Sequence, residues 1–408
     1  LMSLAKKSFK GAFWLGGLRG GIKIFSLLKL IILARILSPL DFGLFGMVVI
    51  PYGLLEVATE PGMNQAMIQS KKNPNKYFSS AQFIFLIRGL CLFILLFLAA
   101  PLITSFYQHD LTQAIRIIAL APLFRGFINP AIILFTKTLN YKKQFTFQLL
   151  TSVCESLATI YFAIKLKSMI ALPLGVVTGA LVATILSYLL VKLTTSKVSI
   201  KKIKDLYKYG RWVTLGTLAS YLNDQGDDFV VSKIMGAEAL GFYQNAYKIS
   251  NLPTTQGASL IYQVIFPIYS KIQGSMERLR RGVVKSILIT FAFSSLFGLC
   301  LYLLAPTAIL YIFGQKWLPM IPALNILIIF GVTRPLISVT SAFFDSIGKP
   351  KISTTQALIK LSILALLVWP MTSNYGITGT AWSVVIAQLA VFPWFGFQLV
   401  KALNEKTD

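Results

Sequence analysis

The sequence predicts an all-α polytopic membrane protein, with about 12 transmembrane helices in two parallel-repeat six-helix lobes around a central cavity. Three observations predict this fold: the composition, the distribution of positive charge and an internal repeat. Of the 408 residues, 55% are hydrophobic and only 13% are charged, and the mean hydropathy is +0.70. A soluble globular chain carries about 25% charged residues. The composition therefore indicates a protein that lies largely inside a bilayer.

The apolar residues are concentrated in long blocks, such as 89–105 and 286–313. A helix of roughly 20 apolar residues crosses the hydrocarbon core, so each block can span the bilayer. Division of the sequence at Pro, Gly, Asn and charged clusters predicts twelve spans. Their approximate limits are 10–35, 42–69, 78–105, 111–138, 143–165, 168–192, 209–235, 239–270, 284–313, 319–347, 352–371 and 376–400. The first is too long for a typical signal peptide and is expected to be a retained helix.

Positive charge is distributed unequally between the two sides of this predicted topology. With the N-terminus inside, 24 of the 39 Lys and Arg residues fall in cytoplasmic segments and 5 in outside segments. Short cytoplasmic loops of membrane proteins collect Lys and Arg, so both termini are expected in the cytoplasm. The same bias explains the net charge of +25 without nucleic-acid binding, for which a compact basic domain is lacking.

The two halves of the sequence resemble each other at an offset of 198 residues. At this offset, residues 34–37 and 42–45 (ARIL and FGLF) match residues 232–235 and 240–243 (SKIM and LGFY). Further along the two halves, outside this ungapped offset, Arg125 matches Arg334. Six spans per half give both halves the same orientation, as parallel repeats with the ligand expected between them. The predicted domains are an N-terminal lobe over 1–196, a basic cytoplasmic linker over 197–208 and a C-terminal lobe over 209–408.

Four runs together resemble a known family: residues 33–44 (LARILSPLDFGL), 60–69 (EPGMNQAMIQ), 227–236 (DDFVVSKIMG) and 314–319 (GQKWLP). The family is the polysaccharide exporter, or oligosaccharide flippase, family that includes the colanic acid exporter. It lies within the multidrug/oligosaccharidyl-lipid/polysaccharide exporter superfamily. The resemblance implies a flippase that moves undecaprenyl-diphosphate-linked oligosaccharides, the repeat units of cell-surface polysaccharide, by alternating access.

The same resemblance implies a location in the bacterial or archaeal cytoplasmic (inner) membrane. It implies lipid-linked oligosaccharide and membrane lipids as ligands, and a polysaccharide polymerase and glycosyltransferases as candidate partners. No cofactor is expected beyond a coupling ion, H⁺ or Na⁺. Family members often carry helices after the twelfth, whereas this sequence ends at Asp408. On this resemblance, either the protein does not serve lipid II or the sequence is part of a longer chain.

Basic residues inside the predicted spans are candidates for binding the diphosphate, because a charge at the bilayer centre costs roughly 2.5–3.5 kcal/mol. Arg19 and Lys23 lie four residues apart, on one helical face, amid glycines that allow close approach of a ligand. The alternative is that they pair with Glu56 or Glu60 and stabilise the lobe. The secondary substrate-binding candidates are Arg88, Arg125 and Arg334. Three others near span ends are expected to extend to the water: Arg116, Arg211 and Lys360.

Acidic residues form a second candidate site in the seventh predicted span. Thr217, Tyr221, Asp224 and Asp228 follow one another by four, three and four residues, which makes one polar stripe with Asp227 beside it. Three carboxylates this close disfavour joint ionisation, which suits a coupling site for a proton or a sodium ion, or a gate. The alternative is a solvated outer end of the span. The predicted coupling or gate residues are Asp224, Asp227, Asp228, Glu56 and Glu60.

Two other functions stay open at this point. A cation-coupled drug or small-molecule exporter of the same superfamily explains the acidic stripe but fits the four runs less well. A membrane enzyme would need catalytic groups on sizeable outside loops, whereas the predicted loops are short and the only histidine, His109, resembles a solvated loop residue. The three cysteines lie far apart without metal-binding spacing. The sequence therefore predicts transport, with no enzymatic activity and no metal.

Overall fold

The computed structural model of the chain describes residues 21–22, 24–60, 62–63, 67, 74–138, 140–192, 198–251, 265–266, 268–270 and 275–404. These residues form helices joined by short turns, and no strand occurs among them. Inside a bilayer the backbone must satisfy its own hydrogen bonds, which a helix does within one segment.

Nine helices come first along the described chain. They are α1 (24–36), α2 (Pro39–Ala58), α3 (Phe78–Tyr107), α4 (Thr112–Ile118), α5 (Leu120–Gly126), α6 (Ile133–Lys137), α7 (Tyr141–Leu166), α8 (Ala171–Leu190) and α9 (Ile200–Ile234). Four more follow: α10 (Gly236–Ser250), α11 (Met276–Ala308), α12 (Ile321–Ser346) and α13 (Pro350–Asn404). A π turn, Ile309–Phe313, and a 3-10 segment, Gln315–Met320, connect α11 to α12.

Seven helical segments of the described chain are long and apolar enough to cross a membrane, and a bent pair would make eight. The bent pair joins Thr112–Gly126 to Pro130–Lys137 at an angle of 69°. Asn129 caps the second part and Pro130 stands at its first position, which is why the predicted span 111–138 is broken there. The helix α9 falls outside this set because its many basic, acidic and polar residues lower its hydropathy, and α10 because it has only 15 residues.

The segment α13 counts once in that set but contains two helices. Its 55 residues would extend about 80 Å as one helix, far more than the roughly 30 Å hydrocarbon core. At Gly376 the backbone leaves the helical region, with φ 62° and ψ −147°, a conformation that favours glycine. The break lies at the start of the predicted span 376–400.

The start and end of α2 are set by local chemistry. Ser38 caps the N-terminus, and its backbone amide and hydroxyl donate to the carboxylate of Asp41, as in a capping box. The regular helix ends at Ala58, earlier than the predicted limit of 69, and Gly62 follows with a φ of 56°. The end of α2 therefore exposes carbonyl groups that need donors inside the protein.

Glycines allow the closest helix contacts, and two of these contacts position candidate residues. A Cβ on Gly89 of α3 would lie 2.5 Å from the Pro122 carbonyl oxygen, and a Cβ on Gly126 of α5 would lie 2.7 Å from that of Phe85. Small residues let membrane helices approach in this way. Because Arg88 and Arg125 directly precede these glycines, the close crossing determines where both side chains lie.

Contacts divide the chain into two compact units, Leu1–Tyr221 and Leu222–Asp408. The division falls within α9, so this helix contributes residues to both units. The predicted domain limits at 196, 197–208 and 209 stay a prediction.

Candidate functional site

In the first unit, Arg125 of α5 joins two side chains of α2. Its Nη1 donates to both carboxylate oxygens of Glu56, at 2.8 and 2.9 Å, and to the hydroxyl oxygen of Tyr52 at 2.8 Å. Tyr52 and Glu56 lie four residues apart, on one face of α2. Both charged side chains are partly exposed, so the ion pair lines a surface of the unit. We call Tyr52, Glu56 and Arg125 the N-unit cluster.

Arg88 binds the same segment at its backbone. Its Nη2 donates to the carbonyl oxygen of Glu56 at 2.6 Å, and its Nε donates to the hydroxyl of Thr59 at 3.1 Å. A cation that bonds the last carbonyls of a helix also complements the negative end of the helix dipole. Arg88 therefore caps α2. Nearby, the carbonyl oxygen of Glu60 accepts a hydrogen bond from the hydroxyl of Thr214.

In the second unit, Arg334 of α12 makes the corresponding set of contacts. Its Nη2 donates to the two carboxylate oxygens of Asp224 at 3.2 and 3.4 Å, and its Nη1 lies 3.5 Å from the hydroxyl of Tyr247. The guanidinium also lies 5.6 Å from the ring centre of Phe330. We call Asp224, Tyr247 and Arg334 the C-unit cluster. Each unit thus holds an arginine, a carboxylate and a tyrosine inside helices of a membrane protein.

Asp224 and Asp228 of the predicted stripe, and Asp227 beside it, have separate partners. Asp224 pairs with Arg334, whereas Asp227 accepts from the hydroxyl of Tyr243 at 2.5 Å and Asp228 accepts from the amide of Gln244 at 2.9 Å. Asp227 and Asp228 are 2% and 6% exposed. These two carboxylates are therefore not the exposed groups that the alternative of a solvated outer end of the span predicts. Within the described residues, no group of three or more His, Cys, Asp or Glu side chains comes together to hold a metal ion.

The amine of Lys360 is buried, contrary to the expectation from the sequence. The sequence placed it near a span end, where its amine would reach water. Instead the residue is 9% exposed, ten positions into α13, with Nζ 4.8 Å from the ring centre of Phe330. Among the carboxylates whose side chains are described, none lies within 4 Å of it. The prediction was wrong because only packing of α12 against α13 encloses the amine.

The remaining predicted basic residues have different outcomes. Arg19 and Lys23 lie outside the described residues, as does the side chain of Arg211. Of the two alternative partners predicted for Arg19 and Lys23, Glu56 and Glu60, the carboxylate of Glu56 is bonded to Arg125. The guanidinium of Arg116 is exposed and lies 4.7 Å from the ring centre of Phe97.

The structure therefore brings Arg88 and Arg125 together around Glu56, and Arg334 together with Asp224. Sequence reasoning missed the tyrosines and the buried amine that complete these sites. The spacing of four residues in Tyr52–Glu56 and Tyr243–Tyr247 was a usable signal, because it places each pair on one helical face. Nothing comparable in the sequence indicated that Lys360 packs on Phe330.

The structure is that of a multi-pass helical membrane protein with charged side chains inside its helices, and its fold is similar to that of a solved transporter of the multidrug/oligosaccharidyl-lipid/polysaccharide exporter (MOP) superfamily. The chain superimposes on a structure of the lipid II flippase MurJ in an inward closed conformation, with a TM-score of 0.77 at 18% identity. The superposition covers 99% of this chain and 89% of the MurJ chain. An inward-facing multidrug resistance MATE transporter of the MOP superfamily has a TM-score of 0.72 at 17% identity, over 95% and 96% of the two chains. The predicted all-α membrane fold of about twelve helices in two lobes is confirmed.

The chain belongs to the family described as polysaccharide biosynthesis protein, which matches residues 32–322. The chain is 26% identical over 397 residues to a membrane protein in the cps region of Klebsiella pneumoniae, covering 95% of this chain and 81% of the relative. It is 24% identical to the teichuronic acid biosynthesis protein TuaB of Bacillus subtilis, over 96% and 82%. It is 25% identical to the lipopolysaccharide biosynthesis protein WzxC of Escherichia coli, over 89% and 72%. The resemblance inferred from the four sequence runs is confirmed.

Proposed function

We propose that this protein moves undecaprenyl-diphosphate-linked oligosaccharide across the cytoplasmic (inner) membrane by alternating access, with both termini in the cytoplasm. Family membership supports the polysaccharide substrate class, and the 24-to-5 distribution of Lys and Arg supports the orientation. The observation that carries the proposal is the presence of a partly exposed arginine, Arg125 or Arg334, inside the helices of each unit. Intramembrane charge is costly and marks a ligand path.

A diphosphate needs several charged donors, and the two clusters can supply them. Arg125 uses only Nη1 for Glu56 and Tyr52, so among the described residues its Nη2 and Nε make no hydrogen bond. Guanidinium groups bind phosphate oxygens through such pairs of parallel N–H groups. The carboxylate of Glu56 holds the guanidinium in place until the diphosphate binds to its remaining donors. In the second unit, Arg334 uses Nη2 for Asp224 and Nη1 for Tyr247, so a diphosphate binds there by displacing these partners.

Other basic residues complete the proposed substrate site. Arg19 and Lys23 retain the role assigned from their spacing, as stacked cations that bind the diphosphate. Arg88 contributes by holding the end of α2, on which Glu56 lies. The buried amine of Lys360 adds a cation beside Arg334, because both lie against the Phe330 ring.

The acidic residues provide the proposed coupling or gate function. When a phosphate group binds the guanidinium of Arg334 and displaces Asp224, the carboxylate of Asp224 becomes available to bind a proton or a sodium ion. Asp227 and Asp228 are buried carboxylates within four residues of it, and Glu56 and Glu60 take the corresponding role in the first unit. Binding of substrate and coupling ion would thereby be linked through the Asp224–Arg334 pair.

The protein is proposed to act without covalent chemistry or a resident cofactor. The relatives named as transporters or flippases support this, and His109 has no catalytic partner set in the sequence. A polysaccharide polymerase and glycosyltransferases are proposed partners because they consume and supply the lipid-linked oligosaccharide. The second candidate function is cation-coupled export of a drug or small molecule, which the likeness to the MATE fold and the buried aspartates favour.

Complementation tests the proposal and separates the two candidates. The full chain is expressed in strains that lack their own flippase and carry defined glycan loci, and surface polysaccharide is measured. A second host, sensitive because it lacks drug exporters, receives the same chain. We expect surface polysaccharide to be restored with at least one glycan and drug tolerance to stay unchanged. Restored drug tolerance without any surface polysaccharide would favour the second candidate.

A further inference from the structure

A pocket at one end of the first unit contains two opposite charges that do not pair. It has a volume of about 400 Å³ and lies between the end of α3 and the helices α4 and α5. Asp110 and Arg116 both line it, yet neither has an oppositely charged group within 4 Å among the described residues. From the part of the chain that the structure describes, Asp110 accepts one hydrogen bond, from the backbone amide of Thr112 at 3.3 Å.

The rest of the pocket is apolar and extends along the helices. Its lining includes Phe93, Phe97, Ile117 and Leu120. Phe93 precedes the end of α3 at Tyr107 by fourteen residues, or about 21 Å, which compares with about 30 Å for a whole hydrocarbon core. The pocket therefore changes from charged near the helix ends to apolar near the middle of the membrane.

Lipid can reach this pocket. Phe97, which lines the pocket, is itself 38% exposed. Large apolar side chains on the surface of a membrane-spanning helix face lipid tails, and Arg116 is itself exposed. The guanidinium rests on the Phe97 ring, at the boundary between the charged and the apolar parts.

We propose that this pocket binds a zwitterionic phospholipid with a primary ammonium group, of the phosphatidylethanolamine class. Arg116 binds the phosphate, Asp110 accepts hydrogen bonds from the ammonium group, and the apolar lining contacts the first part of the acyl chains. A phospholipid without the ammonium group would meet the carboxylate with excess negative charge. A quaternary ammonium headgroup has no N–H to donate. In the proposed orientation, the pocket faces the outer leaflet.

Native mass spectrometry of the full chain tests this with lipids of matched acyl chains. The purified protein is offered equal amounts of phosphatidylethanolamine, its N-methylated forms, phosphatidylcholine and phosphatidylglycerol, and the retained lipid is counted. We expect retention of phosphatidylethanolamine to exceed that of phosphatidylcholine and phosphatidylglycerol about tenfold, and to fall with each added methyl group. Equal retention of all headgroups by the unaltered protein would overturn the proposal, and this measurement needs no variant.

Two variants test which side chain contacts the phosphate and which contacts the ammonium group. Arg116→Gln should lose about tenfold in retention of all phospholipids at this site, whereas Asp110→Asn should still bind phosphatidylethanolamine but lose the preference over phosphatidylglycerol. Arg281→Gln is the matched control, since Arg281 is an exposed arginine on α11 that does not line the pocket. An unchanged headgroup preference in Asp110→Asn would contradict the assigned role of Asp110. Because the measurement is lipid retention, its outcome is independent of the proposed transport function.

Discussion

Arg125 and Glu56 form a two-point contact in which one guanidinium nitrogen lies 2.8 and 2.9 Å from the two carboxylate oxygens. They are 69 residues apart in sequence, on α5 and α2. The corresponding contact in the second unit, between Arg334 and Asp224, joins α12 to α9 at 3.2 and 3.4 Å. The carboxylate comes from α2 in the first unit and from α9 in the second, whereas the two arginines are the ones that the sequence repeat predicts to be counterparts.

Single substitutions of Arg125 test whether its guanidinium binds the substrate. Arg125→Gln should lower export of the lipid-linked oligosaccharide about ten- to a hundredfold, because a charged hydrogen-bond donor to the diphosphate is lost. Arg125→Lys should be intermediate, since a lysine keeps the charge but not the planar donors. Export is measured as surface polysaccharide, and abundance in the membrane is measured in parallel.

The double variant Arg125→Glu with Glu56→Arg is the control for this prediction. The exchange restores an ion pair between α2 and α5, so abundance should recover, but export should not. Recovery of export together with abundance would show that the pair only stabilises the unit.

Replacement of Lys360 tests whether its buried amine takes part in transport. Lys360→Met keeps much of the side-chain volume and removes a charge that is costly to bury, so abundance should be unchanged or higher. Export should fall about tenfold if the amine contributes one charge-assisted contact to the substrate. Lys142→Met, at an exposed lysine near the start of α7, is the matched control. Normal export by the Lys360→Met variant would leave the amine without a role in transport.

The aspartates are tested by neutralisation with the ionic conditions varied. Asp224→Asn, Asp227→Asn and Asp228→Asn are each assayed for flipping over a range of pH and of sodium concentration. At least one variant should lose its dependence on pH or sodium, because the carboxylate that binds the coupling ion is gone. Tyr243→Phe, which removes the hydroxyl bonded to Asp227, should shift that dependence without abolishing it. Normal transport by all three Asn variants with an unchanged response would place coupling elsewhere.

Close helix packing at Gly126 predicts a stability effect. In Gly126→Ala the new Cβ would lie 2.7 Å from the backbone oxygen of Phe85, so α3 and α5 must separate, at a cost of about 1–3 kcal/mol. Thermal unfolding of the purified protein measures the loss. Gly216→Ala is the control on α9, where nothing lies within 4 Å, and it should be neutral or more stable by up to about 1 kcal/mol. Equal melting temperatures for the two variants would contradict the close crossing of α3 and α5.

Accessibility labelling tests the proposed orientation. In a variant without native cysteines, single cysteines at Lys72, Lys142 and Lys204 should react only from the cytoplasm, and one at Asn374 only from outside. The expectation follows from the concentration of Lys and Arg in alternate loops. Labelling of the Lys204 position from outside the cell would exclude the twelve-span topology.

Local signals in the sequence predicted the membrane class, most of the helix positions and the charged candidates. Apolar length and loop charge are properties of short segments, so they are visible without a structure. The glycine at the break in α13 is likewise a local signal, because it lies at the start of a predicted span. The capping box at Ser38 and Asp41 and the one-face spacing of Tyr52 and Glu56 are also local. These features could be predicted because each depends on residues within a few positions of one another.

Only the tertiary structure decided which partner each charge has. The sequence did not indicate that Glu56 binds Arg125 or that Asp224 binds Arg334. Asp227 and Asp228, its neighbours in sequence, take different partners on α10. Lys360 had the sequence position of a lysine that reaches water, but α12 places the Phe330 ring beside its amine. Inside a membrane a charge must find its partner on another helix, and the choice among helices depends on how glycines and bulky side chains let those helices approach. That choice is made by packing over the whole unit, which no local pattern in the sequence encodes.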